Sequence, residues 1–208
     1  MTFIKICGIT NVGDAAAAVA AGVDALGFNF YRASPRYIAP EIAREIIEQL
    51  PQSVMAVGVF VNESPDVVRS IAEETGIAAV QLHGDESPTY CADLATNLSV
   101  FKALAASRNV DIQLAGEYEV EAFILDTEDR ALRGGTGRVF DWSIAQRFKQ
   151  LAPKLILAGG LSPENIQAAI ETVGPYGVDA CSSLEDSPGR KNHERMRVFV
   201  ERVRSVKP

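Results

Sequence analysis

Short apolar runs rich in Val, Ile and Phe recur along the chain. Each is followed by a polar turn and then by a stretch whose apolar positions return with helical spacing. The short runs read as buried strands and the longer stretches as amphipathic helices. Eight strands are predicted: Phe3 to Cys7, Ala25 to Phe30, Ala56 to Phe60, Ala79 to His83, Val100 to Leu104, Ala122 to Asp126, Leu155 to Ala158 and Val178 to Cys181. Helix starts carry their own chemistry. Ser64-Pro65, Ser87-Pro88 and Ser162-Pro163 each set an N-cap hydroxyl before a proline whose missing N–H costs nothing at the first helical position. Ala39-Pro40-Glu41 is a weaker version, and Gly22 and Gly76 read as helix stops. Cys7-Gly8-Ile9-Thr10-Asn11 and Gly159-Gly160-Leu161-Ser162 echo each other, each leaving a strand through glycine toward a hydroxyl cap.

Repeated β-then-α units imply parallel strands joined by right-handed crossovers, and eight of them can close into a (β/α)8 TIM barrel. The 208 residues shared among eight units leave 26 apiece, enough for a strand of about 5, a helix of about 11 and two short loops. The prediction is therefore one barrel domain over residues 1–208, with no space for a second. The competing doubly wound open sheet normally carries a Gly-rich fingerprint after its first strand, and Cys7-Gly8-Ile9-Thr10 is not one.

Composition narrows the partners. Twenty Lys and Arg against 27 Asp and Glu give a net charge of −7, and no basic stripe exists to bind a phosphate backbone, so nucleic acid is not expected. No apolar run approaches the roughly 18 residues of a membrane span, and Met1 to Thr10 has neither a basic start nor a long apolar segment. The chain reads as soluble and cytoplasmic. Cys7, Cys91 and Cys181 are too widely spaced for a CxxC signature and read as free thiols, with no metal site.

In a parallel barrel, reactive residues gather at the C-terminal ends of strands. Cys7 and Asp126 lie at such ends and can exchange protons with a substrate if their environments shift them, although a free cysteine such as Cys7 can also be a buried small apolar residue. His83 is a third candidate, either as a substrate contact or as a satisfied structural histidine. Gly159 and Gly160 after strand seven, with Ser182 and Ser183 after strand eight, sit where such barrels commonly bind phosphate, although a glycine pair can also be a tight turn. Arg36, stiffened by Pro35, can grip a carboxylate or can pair on the surface with Glu41. Gly134-Gly135-Thr136-Gly137 is a mobile lid or a plain flexible loop.

Several segments together resemble the phosphoribosylanthranilate isomerase family: Lys5-Ile6-Cys7-Gly8-Ile9-Thr10, Gly27-Phe28-Asn29-Phe30, Ser34-Pro35-Arg36-Tyr37, Gln81-Leu82-His83-Gly84, Leu125-Asp126, Gly134-Gly135-Thr136-Gly137 and Leu157-Ala158-Gly159-Gly160-Leu161. The ending, Gly177-Val178-Asp179 through Ser182, Glu185 and Pro188-Gly189, is similar too, so the likeness runs in order along essentially the whole chain. The resemblance implies a barrel that performs the isomerisation step of tryptophan biosynthesis without metal or organic cofactor, on a phosphorylated small molecule. It implies Asp126 as general acid, Cys7 as general base, Arg36 as the clamp for the anthranilate carboxylate, and the two C-terminal turns as the phosphate site. For those roles burial should raise the Asp126 pKa, and donors or cations such as Lys5 should lower that of Cys7. A monomer and a homodimer are both compatible with the sequence.

Two departures stand out. The family's usual Asp-Val-Ser-Ser-Gly-Val-Glu is replaced here by Asp179-Ala180-Cys181-Ser182-Ser183-Leu184-Glu185, so a Cβ or a hydroxyl enters the phosphate turn at Ser183. The last helix starts at Asn192-His193 without the family's usual Asp. Rival sugar-phosphate barrels fit less well: an indole-glycerol-phosphate synthase would want catalytic lysines and glutamates on the strands, and a pentose-phosphate epimerase would want metal-binding histidines. A barrel that only bound sugar phosphates would need neither Cys7 nor Asp126.

Overall fold

The computed structural model describes residues 1–106, 112–127, 142–152 and 154–206. Eight parallel strands follow one another around a closed barrel: β1 Phe3–Cys7, β2 Ala25–Asn29, β3 Met55–Phe60, β4 Ala79–Leu82, β5 Ser99–Ala106, β6 Ala122–Thr127, β7 Leu155–Leu157 and β8 Gly177–Ala180. The barrel closes where β1 meets β8, with Lys5 opposite Asp179 and Ile6 opposite Ala180.

Seven α-helices surround the described strands: α1 Val12–Ala21, α2 Pro40–Ile47, α3 Pro65–Thr75, α4 Pro88–Ala95, α5 Trp142–Lys149, α6 Ile166–Val173 and α7 His193–Ser205. The unit between β5 and β6 departs from the predicted repeat, since a 3-10 turn over Ile112–Glu117 stands where a helix was expected. After β8 the chain makes a 3-10 turn at Ser182–Leu184 and a small hairpin, β9 Glu185–Ser187 with β10 Arg190–Lys191, before α7. α7 packs between α1 and α6 and completes the ring of helices.

Local chemistry sets most helix ends. Ser64 Oγ accepts from the Val67 amide and Ser87 Oγ from the Tyr90 amide, each followed by proline in the first turn. Gly22 and Gly76 end α1 and α3 in the left-handed conformation. Two expected caps are corrected. At α1 the cap is Asn11, whose Oδ1 accepts from the Asp14 amide, while the Thr10 hydroxyl reaches across to the Gly189 carbonyl at 2.6 Å. At α6 the cap is Asn165, and Ser162-Pro163 forms a turn before the regular helix, because Asn165 Oδ1 accepts from the Ser162 amide and holds that turn apart.

Strand alternation divides the apolar side chains into two layers. Ile4, Ile6, Leu26, Phe28, Val80 and Leu82 point outward and form the core beneath the helices. Ala25, Val57, Ala79, Phe101, Ile124 and Ile156 belong to a second cluster inside the barrel. Several of these interior residues are alanines, so space remains for polar side chains on the same inward face.

Candidate active site

Cys7 ends β1 two residues after Lys5, so both share the inward face of the strand. Just beyond, the Gly8 and Ile9 amides both donate to the Gly27 carbonyl, and Gly8 turns with φ +78°. Glycine is needed at 27 for space: a Cβ there would lie 2.7 Å from Cys7 Sγ and 3.1 Å from Lys5 Nζ. Below the thiol, Lys5 Nζ donates to Asp179 Oδ2 at 2.7 Å, and both side chains are buried. Asp179 Oδ1 is buried with no hydrogen-bond partner among the described residues.

Cys181 immediately follows β8, with its Sγ 3.9 Å from Glu185 Oε1 and 3.7 Å from Lys191 Nζ. The neighbouring Cys181 thiol, with the positive charges of Lys5 and Lys191, outweighs burial and lowers the Cys7 pKa to about 6. The nearness of Cys7 and its own burial push Cys181 well above the ordinary thiol range. Burial alone would lower Lys5, but Asp179 and Cys7 hold it above the usual lysine value.

Arg36 forms a fork with Glu185: Nε reaches both carboxylate oxygens at 3.0 and 3.1 Å, and Nη2 reaches Oε2 at 2.8 Å. The surface partner anticipated from the sequence, Glu41, is replaced by this residue from the turn after β8. Glu185 also accepts from Lys191 Nζ at 2.8 Å. Burial would raise the Glu185 carboxyl, but Arg36 and Lys191 together hold it below its usual range.

Across the mouth, Asp126 lies near the end of β6, three strands from β1 when counted through β8 and β7. His83 Nε2 is 3.5 Å from Asp126 Oδ2, and Gln81 Nε2 lies 3.1 Å from His83 Nδ1. With the amide in this orientation Gln81 donates, so Nδ1 accepts and Nε2 carries the proton that faces the carboxylate. The enclosure expected of Asp126 among apolar neighbours is not what the fold provides, because its side chain is 32% exposed. The loop that follows His83 is braced from below: Lys102 Nζ donates to the Gly84 carbonyl at 2.7 Å and to Glu86 Oε2 at 2.8 Å, and Glu86 in turn accepts from the Gly84 and Asn62 amides.

The two turns expected to hold phosphate are neighbours. Gly159 and Gly160 have φ of +77° and +65°, and the Ser183 hydroxyl donates to the Leu161 carbonyl. Arg195 Nε donates to the Ser183 carbonyl at 2.8 Å. The α7 start that lacks the family's aspartate is capped by Asn192, whose Oδ1 accepts from the Arg195 amide at 2.9 Å. His193 Nε2 meets Asp14 Oδ1 at 2.8 Å and ties this region to α1. Gly134-Gly135-Thr136-Gly137 lies outside the described residues.

Thus Cys7, Arg36, Gly159, Gly160, Ser182 and Ser183 lie in or beside the turns that follow β1, β2, β7 and β8, and His83 and Asp126 meet at β4 and β6. Sequence reading missed the Asp179 and Lys191 partners and the pairing of Cys181 with Cys7. Parity was part of the available signal: positions 5 and 7 share one face of β1 and Lys5 stands opposite Asp179, whereas Cys181 lies just past the end of β8 and Lys191 in the hairpin beyond it. A hollow lined by Phe3, Leu50, Met55 and Gly76 opens at the opposite end of the strands and touches none of these groups. Among the described residues no group of three or more His, Cys, Asp or Glu could hold a metal ion, and no helix is long and apolar enough to cross a membrane.

A family model described as N-(5'phosphoribosyl)anthranilate (PRA) isomerase matches residues 4–202. An N-(5'-phosphoribosyl)anthranilate isomerase from Thermotoga neapolitana is 46% identical over 206 residues, covering 99% of this chain and all of the relative. The crystal structure of phosphoribosyl anthranilate isomerase from Thermotoga maritima is 42% identical and superposes with a TM-score of 0.93, covering 99% of this chain and 100% of that one. A second isomerase structure, in complex with reduced 1-(o-carboxyphenylamino)-1-deoxyribulose 5-phosphate, is 40% identical with a TM-score of 0.89 over 99% and 100% of the two chains. Closed barrel, strand-end site and matched relatives define an enzyme, an isomerase on a (β/α)8 scaffold. The chain belongs to the N-(5'-phosphoribosyl)anthranilate isomerase family.

Proposed function

We propose that Cys7 and Asp126 are the base and acid with which this family member converts N-(5'-phosphoribosyl)anthranilate into 1-(2-carboxyphenylamino)-1-deoxyribulose 5-phosphate, a step of tryptophan biosynthesis. The rearrangement needs two proton transfers. Asp126 delivers a proton to the ribose ring oxygen as the C1–O bond breaks and the anilino nitrogen forms a Schiff base to C1. The Cys7 thiolate then removes the C2 proton, leaving an enolamine that tautomerises to the ketone.

The observation that carries this reading is the setting of Cys7. A thiol is a useful base near neutral pH only as thiolate, and the neighbouring Cys181 thiol with the charges of Lys5 and Lys191 favours that form. Asp126 reaches the same mouth from three strands away, so a sugar spanning the opening meets acid on one side and base on the other. Arg36 takes the anthranilate carboxylate through Nη1, the nitrogen outside its fork with Glu185. His83, beside Asp126, contacts the substrate next to the acid. The backbone of Gly159, Gly160, Ser182 and Ser183 holds the phosphate. Because the Ser183 hydroxyl is engaged by Leu161, its contribution falls to the main chain.

The test is a fluorescence assay with freshly prepared phosphoribosylanthranilate, following loss of anthranilate emission above spontaneous hydrolysis. Wild-type protein is expected to form the carboxyphenylamino-deoxyribulose phosphate. Cys7→Ala and Asp126→Asn should each lose roughly 10²-fold or more in turnover, the usual cost of removing a general acid or base. Near-normal turnover by either folded variant would remove that residue from its role.

A further inference from the structure

We infer that Cys7 and Cys181 form an oxidisable dithiol, a modification site at which a small peroxide joins the two sulfurs in an intrachain disulfide. The β1–β8 ladder pairs Lys5 with Asp179 and Ile6 with Ala180, so the next position on each chain is Cys7 and Cys181. A disulfide spans Cα separations of about 4.4–6.8 Å, and the paired register holds the two chains together up to the residue before each cysteine. The Cys181 sulfur reaches back to the end of β1, against Gly8, the residue after Cys7, and the two thiols act on each other's ionisation. Neither cysteine is fully buried, whereas Cys91, on the inner side of α4, is.

The surroundings suit the chemistry. Lys191 Nζ lies 3.7 Å from Cys181 Sγ, and Lys5 acts on Cys7 from below, so the pair sits between two fixed cations that favour a thiolate. The absent side chains of Gly8 and Gly27 leave room at the sulfurs, since a Cβ at Gly8 would lie 2.9 Å from Cys181 Sγ and one at Gly27 2.7 Å from Cys7 Sγ. In the first step the Cys7 thiolate attacks one peroxide oxygen. The O–O bond breaks, a sulfenic acid forms, and the leaving hydroxide takes a proton to become water. Cys181 then attacks the sulfenic sulfur, the S–S bond forms, and a second water leaves with the Cys181 proton. Two thiols are oxidised and one hydrogen peroxide is reduced to two waters. Formation of the link stands apart from catalysis, while the accompanying loss of activity rests on Cys7 being the base.

Reduced protein would be treated with hydrogen peroxide, blocked with iodoacetamide and mapped with trypsin. The expected result is a cross-link between the peptides of residues 6–32 and 155–190, a parallel activity loss of roughly 10²-fold as the base is consumed, and recovery of both with dithiothreitol. Cys91→Ser should behave in the same way. Cys181→Ser should give no cross-link, and its Cys7 should pass to the sulfinic acid, with a loss that dithiothreitol does not reverse. Accumulation of sulfinic acid on Cys7 in the wild type, or a link made to Cys91, would overturn the pair. A cross-linked enzyme that kept full activity would confirm the dithiol and overturn the role of Cys7 as base.

Discussion

Lys5 Nζ lies 2.7 Å from Asp179 Oδ2 inside the barrel, with the lysine fully shielded and the aspartate 7% exposed. Such a pair stabilises little relative to apolar residues of the same volume, yet breaking it leaves an uncompensated buried charge. Its place on the inward face next to Cys7 couples the interior of the fold to the reactive thiol.

Lys5→Met is therefore expected to destabilise the protein by about 3–5 kcal/mol, and adding Asp179→Leu should restore much of that loss. Chemical denaturation of the single and double variants measures both. A single variant as stable as wild type would mean that Asp179 does not depend on Lys5.

The pH dependence follows from Cys7. With its pKa lowered to about 6, the thiolate is present above that value and is lost as pH falls through it. kcat/KM should thus drop about tenfold per pH unit on the acid side. In Cys181→Ala the largest stabilising contact of the thiolate is gone, so the acid limb should move up toward the ordinary thiol value of about 8.5. Rate profiles of the two proteins, recorded between pH 5 and 9, decide this.

At Gly27 the expected effect falls on rate more than on stability. A Cβ there would stand 2.7 Å from Cys7 Sγ, too close to tolerate without displacing the thiol. Gly27→Ala should lower kcat by up to about 10²-fold, the cost of misplacing a reacting group by about 1 Å. Turnover alongside a thermal melt separates displacement from unfolding.

Arg36→Ala removes a charged contact worth about 1.5–3 kcal/mol. KM for phosphoribosylanthranilate should rise by roughly tenfold or more, while kcat changes less. Because Glu185 keeps Lys191 as a partner, the fold should survive the change. Steady-state kinetics resolve the two constants, and an unchanged KM would assign Arg36 to holding Glu185 alone.

Much of this architecture was legible because its causes are local. The runs of Val, Ile and Phe gave eight strands within a few residues of their observed ends, and Ser64-Pro65 and Ser87-Pro88 marked helix starts through bonds spanning three residues. Errors arose where a distant partner decided. Thr10 looks like a cap until Gly189 claims its hydroxyl, and Arg36 turns from Glu41 to Glu185, 149 positions away. In the site, the resemblance pointed to Cys7 and Asp126 and the sequence offered Lys5 beside the thiol, but the largest influence on Cys7, Cys181, and the charge of Lys191 reach it only through closure of the barrel.

Closure between β1 and β8 also imposes an order of events on a growing chain. Cys7 is made long before position 181, so its contact with Cys181 forms only once β8 has docked. That docking closes a loop more than 170 residues long, an entropic cost met at that step, and before it Cys7 has Lys5 beside it but neither Cys181 nor Lys191. The lowered pKa of Cys7 is thus a property of the closed barrel: a chain arrested before its last strand has the residue without the neighbours that most favour its thiolate.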